Sequence, residues 1–118
     1  MNALHLMLKL LLEGFCSLYL LWWLYLAVMN LKQAQDAGTL SRPAYLLGLP
    51  LLGIGYVVDF FCNVAPTTVI FLEPPREYTV SERLRRLVKG NGWRKTLATW
   101  FAAKLLNPFS PGGPHIEL

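Results

Sequence analysis

Between Gly14 and Leu31 the chain carries no charged side chain, and across a lone Glu13 the apolar run reaches back to Leu10. As a helix, Leu10 to Leu31 would measure about 33 Å, enough to cross a hydrocarbon core of roughly 30 Å. A helix on a soluble core keeps one polar stripe, whereas Leu18, Tyr19, Leu20, Leu21, Trp22, Trp23, Leu24 and Tyr25 cover every direction around the axis. A cleaved secretory signal fits poorly. Lys9 comes late, the run is long, Leu26-Ala27-Val28-Met29 is a poor cleavage site, and bulky Phe15 stands before Cys16 where a lipoprotein cysteine needs a small residue. The run therefore reads as a retained membrane helix. Trp22, Trp23 and Tyr25 fall near its middle, which suits helix packing better than an interfacial belt.

A second apolar segment, 44–72, contains one charge, Asp59, and two prolines, Pro50 and Pro66. A straight helix of that length would be about 43 Å, so the segment should tilt, kink at a proline, or end in extended chain. Gly48, Gly53 and Gly55 offer a smooth patch for a neighbouring helix. Thr67 to Leu72 is β-branched and aromatic, but an open strand in lipid leaves backbone groups unpaired, so helical continuation is expected. A polar linker, 32–43, joins the two segments with Gly38, Thr39, Ser41 and Pro43 as turn chemistry.

Composition points the same way. With 118 residues, 54% of them apolar and 15% charged, the chain falls well below the roughly 25% charge of globular domains, and a domain this small buries only about 65% of its unfolded surface. Disorder and collagen-like repeats are excluded by the abundance of hydrophobic residues and the scatter of Gly and Pro. Cys16 and Cys62 lie inside apolar runs, where a free thiol is a small hydrophobe, so neither a disulfide nor a metal site is expected.

After Leu72 the charge balance changes. Arg76, Arg83, Arg85, Arg86, Lys89, Arg94, Lys95 and Lys104 outnumber Glu73, Glu77, Glu82 and Glu117, which accounts for the whole chain's net charge of +4. By the positive-inside rule this tail should be cytoplasmic, and two spans return the N-terminus to the same side. The expected fold is an all-α membrane protein: a two-helix transmembrane hairpin over 1–72 followed by a basic amphipathic tail over 73–118. Within the tail, Thr79-Val80-Ser81-Glu82 has capping-box spacing, and Val80, Leu84, Leu87 and Val88 form one apolar stripe. A second helix from Trp93 to Leu106 would place Trp93, Leu97, Trp100, Phe101 and Leu105 largely on one face before Asn107-Pro108 ends it. Such helices suit a membrane surface, with Arg83, Arg85, Arg86, Lys89, Trp93, Arg94, Lys95, Trp100 and Lys104 meeting anionic lipid or a partner protein. They equally suit a small packed cytosolic unit. Nucleic acid is the weaker partner, since no recognition motif is present and the aromatics lie on the apolar face.

Phe71-Leu72-Glu73-Pro74-Pro75-Arg76, Gly92-Trp93-Arg94 and Leu105-Leu106-Asn107-Pro108-Phe109-Ser110-Pro111, with Gly113 and His115, follow in an order that resembles small uncharacterised membrane proteins encoded by tailed phages and prophages of Gram-negative bacteria. The likeness covers about half the chain. This sequence departs from that pattern at Asn107 and Ser110, where Asp is common, and at Ala102 and Ile116, where the pattern has cysteines. The resemblance implies a phage or prophage origin and an inner-membrane address, with no activity attached.

Asp59 is an ionisable group at membrane depth, and Asn63 lies four residues on, on the same helix face, able to share a hydrogen bond across an oligomer interface. His5 and His115 lack companions at metal-ligand spacing, the serines lack nucleophile-elbow glycines, and Gly90-Asn91-Gly92 is too short for a phosphate loop. A non-enzymatic, cofactor-free membrane protein is therefore expected, acting on the host envelope through its tail. The alternative is a holin-like lesion former lined by Asp59 and Asn63, and a soluble helical DNA-binding module is a third reading.

Overall fold

The computed structural model describes residues 2–118. Its first helix, α1 (Ala3–Asp36), is started by Asn2, whose side chain accepts from the His5 backbone N–H at 2.8 Å, and is closed after Ala37 by Gly38 at φ +72°. Its 34 residues make a rod of about 51 Å. Ser41 then caps α2 (Arg42–Val64), accepting from the Ala44 N–H, and Pro43 occupies a first-turn position where its missing N–H is harmless.

The second apolar segment is helical but broken. Pro50 is absorbed inside α2, whereas at Pro66 the backbone of Ala65 leaves helical geometry (φ −104°, ψ −81°) and a short α3 (Pro66–Phe71) restarts. Leu72, at φ +52°, ends α3 in the left-handed region, and Pro74-Pro75 prevents any return to helix. All described residues are helical or irregular, with no strand among them. Both long helices, α1 and the combined 42–71 segment, are apolar and long enough to cross a membrane.

The two run antiparallel. Gly48 meets Leu31 near the connection, the Cys62 thiol donates to the Ser17 carbonyl at 3.5 Å further along, and Gly14 faces Pro66 at the far end. Of the three glycines expected to form a smooth patch only Gly48 lies at the contact, because a Cβ on Gly53 or Gly55 would meet nothing. A Cβ at Gly48 would lie 2.9 Å from Leu31 Cδ1, the far end of a flexible side chain. Gly48→Ala should therefore be tolerated, while Gly48→Val should cost about 1–3 kcal/mol by overpacking. Unfolding of the two variants in detergent micelles checks this; equal cost for both would contradict the close approach.

The tail does not hang free from the helix pair. In α4 (Val80–Val88) the Thr79 hydroxyl accepts from the Glu82 N–H at 3.2 Å, the forward half of the capping box. After the Gly90 turn, α5 (Gly92–Phe101) follows, widening into a π turn over Ala102–Leu106 and a 3-10 turn over Asn107–Phe109. Leu84, Leu87 and Val88 from the anticipated stripe join Phe71, Ala98, Ala102 and Ile116 in one core, with Val80 packed beside it. The tail helices pack on each other and on the end of the helix pair. The floor of this core is α3.

The face of α5 differs from expectation. Ala98 and Ala102 sit at the helix contact with Leu97 and Phe101 beside them, while Trp93 and Trp100 are exposed. Small residues let α4 and α5 approach closely, and the indoles, well over 90° around the helix from Ala98, are left outside. Beyond α5, Gly112 and Gly113 at φ +77° and +138° turn the chain back, so that Ile116 enters the core. Asn107 clamps it there. Its side chain donates to the Ile116 carbonyl and accepts from the Ile116 N–H, both at 2.9 Å.

Candidate functional site

Where the tail meets the helix pair, polar groups converge. The Val80 N–H, one of the orphan donors at the start of α4, bonds Asp59 Oδ1 at 2.7 Å, and Asn63 Nδ2 donates to the Glu77 carbonyl. The two residues thus share a face, as anticipated, and both bind the chain's own 77–80 segment. The positive end of α4 is a natural place for the Asp59 carboxylate.

Arg83 is 0% exposed. Its Nη2 donates to Thr68 Oγ1 at 3.3 Å, and Thr68 Oγ1 in turn donates to the Asn63 carbonyl at 3.2 Å. Arg86 bridges two carboxylates, donating from Nη2 to Glu73 Oε1 and from Nε to Glu77 Oε1. Arg94 donates from Nε to the Phe71 carbonyl at 2.7 Å and from Nη2 to the Leu72 carbonyl at 3.2 Å, with its guanidinium 4.8 Å from the centre of the Trp93 ring. Phe71 and Leu72 are the last residues of the broken helix, so Arg94 takes carbonyls that have no helical donor.

This corrects the expected surface role of Arg83. Arg83 reaches Thr68 on α3 and Arg94 the carbonyls at the end of α3, while Arg86 ties Glu73 and Glu77 together within the tail. Arg85, Lys89, Lys95 and Lys104 stay exposed, as do Trp93 and Trp100. A sequence signal for Arg83 existed: it stands three residues after Val80 and four before Leu87, inside the apolar stripe itself.

The aromatic residues in the middle of α1 are used for packing. Trp22 Nε1 donates to the Leu105 carbonyl at 2.8 Å and the Tyr25 hydroxyl to the Leu106 carbonyl at 2.6 Å. These carbonyls fall at the end of the helix, where the α-helical pattern has given way to the π and 3-10 turns. Trp23 remains exposed. Between α1, α3 and the tail lies a cavity of about 140 Å³, its wall formed by Leu18, Trp22, Phe71, Leu84 and Phe101 with Asp59 and Thr67 as polar points. No group of three or more His, Cys, Asp or Glu among the described residues is placed to hold a metal ion.

Glu73 and His115, both outside the long helices, are displaced from their ordinary values. Burial opposes ionisation of Glu73, but its hydrogen bond to Arg86 and the nearby charges of Arg86, Arg83 and Arg94 together hold the carboxyl below its usual range. His115 is pushed down, first by burial and then by the charges of Arg85 and Lys32; its Nε2 lies 3.1 Å from the Ser81 hydroxyl and its ring packs edge-on against Tyr25. A histidine with a lowered folded pKa stabilises the fold while neutral, and this contribution is lost as pH falls below the unfolded value of about 6.5. Acidification from pH 7.5 to 5.5 should therefore loosen the terminal segment, and His115→Gln should flatten that dependence. Thermal unfolding at the two pH values is the measurement; an identical slope in the variant would exclude His115.

Compared with protein-family models, with curated proteins and with solved structures, the chain matches none of them.

Proposed function

We propose that the protein is a non-enzymatic bacterial inner-membrane protein of phage or prophage origin, with both termini on the cytoplasmic side. Its helix pair is held in lipid, and its basic tail unit meets anionic headgroups or a host membrane protein. Modification of the host envelope, such as exclusion of other phages, suits that placement. The observation that carries the reading is the uncovered apolar surface of the helix pair: among the described residues, Leu11, Leu12, Phe15, Leu47, Ile54 and Phe61 are each more than half exposed. Soluble proteins rarely leave so continuous an apolar surface in water.

The holin-like alternative draws its polar lining from Asp59 and Asn63. Both are engaged by Val80 and Glu77 of the same chain, so the envelope role is the better supported. The test is fractionation of expressed protein, followed by binding of purified protein to anionic and neutral vesicles. Recovery in membranes after alkaline wash, with preference for anionic vesicles that falls with salt and in Lys89→Glu/Lys95→Glu, is the expected result. A soluble, vesicle-indifferent protein rejects the proposal.

A further inference from the structure

Resting on the membrane reading above, we infer that the helix pair does not cross the bilayer but lies within one leaflet, with the tail unit as its water-facing roof, so that the connection 37–41 and the C-terminus share one side.

The observation is how far along α1 the tail is docked. Leu105 and Leu106 bond Trp22 and Tyr25, which stand at the middle of the uncharged run Gly14–Leu31. Lys104, exposed, immediately precedes them. Arg85, also exposed, donates to the His115 carbonyl, and the His115 ring rests on Tyr25 at the same level. At the other end of the tail, Arg94 is fixed to Phe71 and Leu72, just beyond the Pro66 that faces Gly14. Towards the connection, the turn Pro108–Gly112 lies along Leu26, Met29, Asn30 and Gln33. The tail therefore flanks nearly the whole stretch of α1 that a span would use.

If the pair crossed the bilayer as this body, the exposed Lys104 and Arg85 would stand near the bilayer centre against lipid. Charged side chains at that depth are expensive and, where they occur, face a bundle interior or water. Irregular backbone would also meet lipid, because Gly112, Gly113 and Pro114 are exposed beside α1, and lipid-exposed irregular chain does not occur within the hydrocarbon region. Turning the axis into the membrane plane removes both conflicts. Tyr19, Leu20 and Trp23 of α1 and Leu47, Ile54 and Phe61 of α2 are exposed away from the tail and enter the acyl chains. Arg85, Lys89, Lys95 and Lys104 then rise to the phosphates, with Trp93 and Trp100 at headgroup level. Lys9 and Glu13 pair with each other at 3.8 Å in the first third of α1, outside the uncharged run.

The test uses the full chain with Cys16→Ser, buried Cys62 retained, and one added cysteine: Gln35→Cys beside the connection or Leu118→Cys in the tail, both at exposed positions. Each is treated with a membrane-impermeant maleimide in intact spheroplasts and in inverted inner-membrane vesicles. The expected result is that both react in inverted vesicles and neither in spheroplasts. Reaction of Gln35→Cys in spheroplasts alone, with Leu118→Cys reacting only in inverted vesicles, is the pattern of a two-span hairpin and overturns the inference while leaving the membrane reading intact. Recovery of the chain in the soluble fraction overturns the membrane reading and the inference with it. A second pair, Ala37→Cys and Glu117→Cys, guards against a local effect at either site.

Discussion

Replacing Phe71 by alanine is expected to lower the unfolding free energy by about 3–5 kcal/mol, the range for truncating a buried phenylalanine. Phe71 is 1% exposed, sits at the last turn of α3, and packs its ring against Phe101 at 6.3 Å between centres. It belongs to the same core as Leu84, Ala98 and Ile116, so its side chain is the main apolar link between the helix pair and the tail. Phe61 provides the control. It is 64% exposed, detergent or lipid covers it in either state, and Phe61→Ala should cost far less. Unfolding of both variants in mixed micelles, followed by tryptophan fluorescence, decides the matter. Equal costs would mean that the tail is not packed on α3.

The second large effect is expected at Arg86. Its guanidinium neutralises Glu73 and Glu77 together, and those carboxylates are only 12% and 14% exposed. Arg86→Gln leaves two largely buried negative charges facing each other. Removing one partner from a buried ionic group costs about 3–5 kcal/mol, and with Arg86 itself 31% exposed a loss near the lower end, about 3 kcal/mol, is expected. The pH dependence has a defined sign. Because Glu73 is held below its usual range, its contribution is present above the unfolded carboxylate value of about 4.3 and disappears as pH falls through the folded one. The deficit of the variant should therefore be full at pH 7 and shrink on acidification as Glu73 takes up its proton. Combining it with Glu77→Gln should recover part of the loss at pH 7. Lys89→Gln, at an exposed position, should stay within about 0.5 kcal/mol. A deficit independent of pH, or no recovery in the double variant, would show that Arg86 acts through packing alone.

Much of the local structure was legible because its causes are local. Thr79 before Val80 with Glu82 three residues on announces a helix start whatever the surroundings, and the Thr79 hydroxyl takes the Glu82 N–H as expected. Pro66 removes one N–H and crowds the preceding turn, so a break there follows from covalent geometry, while Pro50 shows that a proline in a helix need not end it. The central position of Trp22, Trp23 and Tyr25 pointed to packing; Trp22 and Tyr25 are packed against the tail, while Trp23 is exposed.

The choice among the basic residues was not legible in the same way. Arg83, Arg85 and Arg86 are adjacent or nearly so, and charge counting treats them alike. Which guanidinium is buried depends on where Glu73, Glu77 and Thr68 arrive from other parts of the chain, and those positions are set by the break at Ala65 and the left-handed Leu72. Likewise Asp59 and Asn63 share a helix face by sequence spacing alone, but that they hold Val80 and Glu77 is a matter of docking. The sequence by itself determined an all-helical chain with two long apolar helices and a basic, capped tail, because hydrophobic period, caps and prolines act within a few residues. Only the tertiary structure decided that the tail lies along the flank of the helix pair, since that placement arises from contacts between residues far apart in sequence, such as Trp22 with Leu105, 83 residues on, whose partners no local pattern names.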